Sequence, residues 1–221
     1  MSDEKNQAQT LYGRPDQMGK TPVGWRIELR YSDVAHRGHL FLRLVDPNDK
    51  AVAELHGLPK SKHQGTEDMQ FDRMSKGMED GSSLVVRHDD PSNLPVPGDT
   101  KGHRFPRFGE GRVIATVASG SAEEINGLWQ RGKQAMDDIN AKKPDYKAVD
   151  VAYELGHPTG GDIQNSNSTI FTIGRKMGLP LNSAIQDAGL ERKFPGWGRD
   201  LLDLKRRPFV GEPPLAVRAA P

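Results

Sequence analysis

The sequence predicts an α+β fold: an antiparallel sheet of about five strands packed against two or three helices, with long loops. Three observations carry this. Apolar and polar residues alternate with period two through the first half of the chain. Helix-start chemistry and helical spacing appear only in the second half. No repeat of one strand and one helix, as a parallel sheet would need, is present.

Residues 1–22 are polar and carry Gly13, Pro15, Gly19 and Pro22, so they read as a flexible arm. Residues 24–31 (Gly-Trp-Arg-Ile-Glu-Leu-Arg-Tyr) alternate as a half-buried strand. Residues 32–38 read as a turn, and 39–45 as the second strand. Asp46-Pro47-Asn48-Asp49 is strong turn chemistry, and 51–57 is the third strand, making 39–57 a hairpin. Residues 59–82 read as a long loop with room for a short helix. Strands are expected at 83–88 and 111–118, separated by a proline-rich loop over about 90–110.

Ser121-Ala122-Glu123-Glu124 is a capping box, so a helix starts there. Ile125, Leu128, Trp129, Met136 and Ile139 give it an apolar stripe to near Asn140, and Gly127 and Gly132 weaken it slightly. Residues 150–155 read as a short strand or turn. A second helix is expected over about 166–177, ending at Gly178 with Pro180 beyond. A third, short helix is expected over 182–189. Trp197, between two glycines, reads as a packing anchor. The domain plan is an arm (1–22), one α+β domain (23–205) and a proline-rich tail (206–221).

Composition narrows the function classes. The 221 residues hold 31 Lys+Arg and 30 Asp+Glu, so no broad field draws in nucleic acid. There is no Cys, which removes disulfides, thiolate metal sites and a cysteine nucleophile. Seven His are scattered without a metal-binding spacing, and no cofactor motif is present, so neither metal nor cofactor is expected. The polar start has no apolar signal region, and no stretch reaches membrane-span length. The expected location is cytoplasmic as synthesised, with leaderless export open.

The stretch Gly160-Gly161-Asp162-Ile163-Gln164-Asn165-Ser166-Asn167-Ser168-Thr169 joins a glycine turn to a helix start. Ser166 is the best single candidate for a nucleophile. A serine there is held rigidly beside unpaired backbone N–H groups able to receive an oxyanion. It needs a base, and His39 at the start of the hairpin strand is the candidate. Glu54 or Asn167 is a candidate orienter, and Asn165 or Gln164 a candidate for oxyanion support. The plainer readings stand beside these: Asn165 or Ser166 as a helix cap, His39 as an ordinary strand-end residue, and Glu54-x-His56 as a surface pair.

Asn165-Ser166-Asn167-Ser168-Thr169-Ile170-Phe171 resembles the Asn-Cys-Asn-His-Phe motif of the PPPDE family. More loosely, it is similar to the Asn-Cys-Glu-His-Phe motif of the lecithin retinol acyltransferase family. Residues 38–45 and Glu54-Leu55-His56-Gly57 resemble the His-bearing strand and its return strand. Ser166 stands where the motif has its Cys, and Ser168 where it has its second His. The resemblance implies a permuted papain-like fold. It implies a hydrolase or acyltransferase acting on an amide, thioester or ester of a peptide, protein or lipid, through Ser166 and His39. The alternative is the same fold without catalysis, kept as a binding or structural module; the loop-rich, cysteine-free chain fits an exported bacterial effector.

Overall fold

The computed structural model describes residues 24–34, 37–60, 83–92, 108–147, 163–190 and 194–203. The expected arm, the tail, the 150–155 segment, Gly160-Gly161-Asp162, most of both long loops, and His36, His63, His103 and His157 lie outside them.

Five strands form one antiparallel sheet in the order β4-β3-β2-β1-β5. They are β1 (Trp25–Val34), β2 (Arg37–Val45), β3 (Ala51–Lys60), β4 (Ser83–Asp89) and β5 (Arg112–Gly120). Three helices follow: α1 (Ala122–Lys142), α2 (Ser166–Met177) and α3 (Leu181–Asp187). Among the described residues, the expected α+β class, strand count and helix count are therefore observed.

The turn expected at 32–38 is shorter than its sequence suggests. Ser32, Asp33 and Val34 pair with His39, Gly38 and Arg37, leaving only residues 35 and 36 between the strands. Polar side chains do not stop a ladder, because its bonds are made by the backbone. The 46–49 turn closes as its chemistry requires. Asp46 Oδ1 accepts the N–H groups of Asn48 and Lys50, each at 2.9 Å, and Asp49 takes a positive φ of 61°.

Strand alternation sends Ile27, Leu29, Leu40, Leu42, Leu44, Ala53, Leu55, Leu84 and Val86 to one face. There they meet Ile125, Trp129 and Ile139 of α1 and Ile170, Ile173 and Met177 of α2. Within α1 the expected Met136 and Leu128 are only partly buried, and Gly132 and Ala135 hold the seam. A Cβ on Gly132 would lie 2.8 Å from Met177 Sδ, so the glycine lets α2 approach α1 closely. The capping box forms, with Glu124 N–H donating to Ser121 Oγ at 3.3 Å and Ser121 N–H to Glu124 Oε2 at 2.8 Å. α2 ends at Gly178 with φ 77°, and Leu179 N–H closes on Gly174 O at 2.9 Å.

One irregularity positions the site. β2 and β3 pair only from Phe41↔His56 to Val45↔Ala51. Beyond that rung β2 continues along β1 as far as Arg37, and β3 continues along β4 as far as Lys60. The sheet therefore forks, and the first turn of α2 enters the fork. A Cβ on Gly57 would sit 3.0 Å from Ser166 Cα and 2.6 Å from Thr169 Cβ, so only glycine leaves room for the helix.

Gly57→Ala is expected to destabilise the protein by about 1–3 kcal/mol, the usual range for overpacking a filled site. Gly127→Ala, in an open part of α1 with nothing within 4 Å, is expected to stabilise it by about 0.5–1 kcal/mol. Urea unfolding of the two variants checks both signs.

Candidate active site at the sheet fork

The helix side of the site is built by local capping. Asn165 is the N-cap of α2, and its Oδ1 accepts from Asn167 N–H (2.9 Å) and Ser168 N–H (3.3 Å). Ser168 reaches back, its Oγ accepting from Asn165 N–H at 2.7 Å. Thr169 N–H bonds to Asn165 O at 3.0 Å. These contacts use the first-turn donors with one exception: among the described residues, none accepts from the Ser166 N–H. That N–H lies on the same residue as the candidate nucleophile.

Asn165 and Ser168 are thus cap residues. The Asn165 amide nitrogen donates to Pro195 O at 3.0 Å, which holds the cap side chain against the 194–198 turn. Trp197 is the packing anchor its glycines suggested: its ring meets Phe171 edge-on at 5.3 Å, and its Nε1–H donates to Asn182 Oδ1 at 3.0 Å.

The strand side carries a line of buried polar groups. His39 Nε2 lies 3.3 Å from His56 Nδ1, with the two rings nearly parallel at 11°. His56 Nε2 lies 3.0 Å from Glu54 Oε2. Glu54 Oε1 receives Arg43 Nε at 2.6 Å and Gly109 N–H at 3.2 Å. Arg43 also donates to Glu110 O. Phe41 closes the ensemble, stacked 4.8 Å from the His56 ring. Glu54 and His56 are 0% exposed, so the reading of them as a surface pair is corrected. Period two does place them on one face, but the 108–111 turn folds over that face.

His56 is the residue that sequence reasoning missed. Glu54 was expected to orient His39, but it bonds His56, and His56 bonds His39. The only signal was the Glu-x-His spacing itself.

When both rings are neutral, the hydrogen-bond line sets the tautomers by simple accounting. A carboxylate accepts, so His56 donates from Nε2 and presents its Nδ1 lone pair. His39 must then donate from Nε2, which leaves Nδ1 as the basic atom of the neutral ring. Burial, and then the repulsion a protonated His39 would meet from Arg87 and from a protonated His56, holds the His39 imidazole well below its ordinary value of 6.5. Burial pushes the Glu54 carboxyl up, but His56, Arg43 and the Gly109 N–H outweigh it and hold it below 4.5.

Ser166 and His39 approach the fork from opposite faces. His39 shares the face of Phe41 and Arg43, whereas α2 packs on the face of Leu40 and Leu42. β2 and β3 make no rung at Leu40 and Gly57, where the first turn of α2 packs. The Ser166 hydroxyl is directed at Asn167 Oδ1, 3.4 Å away. Ser166 and His39 are 6% and 7% exposed. Among the described residues, no group of three His, Asp or Glu stands where it could hold a metal ion, and no helix is long and apolar enough to cross a membrane.

The shifts set the acid behaviour. His39 is held neutral in the fold, so between its folded value and 6.5 the unfolded chain binds the extra proton, and stability falls as pH drops below about 6.5. Glu54 adds a second loss below 4.5, where its unfolded carboxyl protonates first. Denaturant unfolding from pH 7.5 to 4 is expected to show both segments. His88, held below 6.5 mainly by burial, shares the upper one, so His39→Gln is expected to shrink the upper segment and spare the lower.

Compared with known proteins, the chain matches no family model, no curated protein and no solved structure.

Proposed function

We propose that the protein is an acyl-transfer enzyme, a hydrolase or acyltransferase acting on an amide, thioester or ester. In this reading Ser166 is the nucleophile and His39 the base. His56 and Glu54 are positioning residues. The observation that carries it is the buried line Glu54–His56–His39, which includes an imidazole on the strand at the fork that α2 enters. Two histidines and a carboxylate are costly to bury. A line of them on a strand whose next residue, Leu40, is bonded to the first turn of α2 has the chemistry of a relay.

The steps follow from the tautomers. His39 Nδ1 takes the Ser166 hydroxyl proton as Oγ attacks the substrate carbonyl. Charge growing on the carbonyl oxygen is received by the Ser166 N–H, with the positive end of α2 behind it. The imidazolium is stabilised through His56 by the Glu54 carboxylate. His39 then returns the proton to the leaving group, and water or a second acceptor repeats the sequence on the acyl-enzyme. A permuted papain-like arrangement belongs to the same proposal: the strand order, with His39 ahead of the helix that carries Ser166, supports it.

A second reading has its own support. The Ser166 hydroxyl bonds Asn167 and is nearly buried, which suits a fold that has kept its capping and lost its chemistry, used as a binding or structural module.

A fluorophosphonate probe separates the two. The enzyme reading predicts one adduct, on Ser166, that Ser166→Ala abolishes. His39→Ala is expected to slow labelling by about 10²–10⁴-fold, the usual weight of a general base. His56→Leu and Glu54→Gln are expected to slow it by smaller factors. Absence of labelling in the wild type, or equal labelling in Ser166→Ala, sinks the enzyme reading.

A further inference from the structure

Asn167 follows Ser166 and is 2% exposed. Its Oδ1 accepts from the backbone N–H of Leu40 at 3.0 Å, 127 residues away, and from Ser166 Oγ at 3.4 Å. Its Nδ2 donates to Pro195 O at 2.9 Å, the same carbonyl that receives Asn165. A buried asparagine satisfied at both ends is ordinary. The identity of its partners is not. Leu40 pairs with Tyr31 of β1 on one side, and on the other side its β3 rung is missing. Asn167 Oδ1 fills that vacant acceptor position. Leu40 is also the residue after His39, so one oxygen ties the base's strand to the nucleophile's turn.

We propose that Asn167 is a positioning residue for this site. Its side chain replaces the strand rung that β3 gives up, and so sets how far Ser166 stands from His39. The role rests on the acyl-transfer reading for its chemistry, but the clamp itself is measurable without any activity. The bond to Ser166 is long and gives way easily to an imidazole or substrate, whereas the bond to Leu40 has ordinary length and holds the two elements together.

The test uses the full chain as wild type, Asn167→Ala and Asn167→Asp. Asp keeps an acceptor oxygen in the same place and loses the amide donor; Ala loses both. Two quantities are read: hydrogen exchange of the Leu40 amide by NMR, and the rate and pH midpoint of fluorophosphonate labelling at Ser166. Leu40 is expected to be protected in wild type and Asn167→Asp, and to exchange at least about tenfold faster in Asn167→Ala, because the amide loses its acceptor. Labelling is expected to fall at least about tenfold in Asn167→Ala and to return in Asn167→Asp. The labelling midpoint of Asn167→Asp is expected to rise, since a carboxylate beside the His39 strand favours the imidazolium. A folded Asn167→Ala with wild-type Leu40 exchange and wild-type labelling overturns the proposal. If Asn167→Ala does not fold, Asn167→Asp decides: an unprotected Leu40 or an unmoved midpoint overturns it. A wild type that never labels removes the acyl-transfer reading alone, and Leu40 exchange still decides the clamp.

Discussion

The parting of β2 from β3 beyond the Phe41↔His56 rung is the constraint on which the rest of the structure depends. A continuous sheet would set a wall of backbone between His39 on one face and α2 on the other. The fork removes that wall over Leu40 and Gly57. It also leaves backbone groups that must find new partners, since a buried, unpaired N–H costs about 1–3 kcal/mol. Asn167 meets that need at Leu40, and Gly57 provides the space. The same departure from regular pairing thus admits the helix and demands the residues that fill it.

The polar line on the far face is the second cost. Glu54 is fully buried, and its isolated charge would be strongly unfavourable there. Arg43, Gly109 and His56 supply the donors that make it tolerable. Replacing such a network with apolar residues is often neutral or stabilising, so stability alone gives little reason to keep it. What the network does provide is orientation: a carboxylate fixes one imidazole, and that imidazole fixes the next.

Local chemistry was legible in the sequence, and chemistry between distant segments was not. The Asp46 turn, the Ser121 capping box and the 166–177 span of α2 all depend on side chains bonding within a few residues of themselves, so they could be read directly. Ser166 and His39 were singled out on the same basis, as the first residue of a helix and the end of a strand. The fork was invisible because it is a property of pairing between β2 and β3, and its outer ends, residues 37–38 and 59–60, read as turn and loop. The burial of Glu54 and His56 was hidden for a related reason. Polar residues at alternate strand positions imply solvent on that face, unless another segment covers it, and the covering turn lies more than fifty residues later in the chain. Gly132, read from composition as a weak point in α1, is a contact made for Met177.

The central claim is that Glu54, through His56, sets the protonation pattern of His39. Nitrogen-15 NMR of the two imidazoles near neutral pH tests this most directly, because it reports which ring nitrogen carries the proton. The account predicts that both rings are protonated at Nε2, with Nδ1 bare in each, and that Glu54→Gln disturbs His56 first and His39 through it. A His39 protonated at Nδ1, or a His39 tautomer indifferent to the Glu54 change, would contradict it.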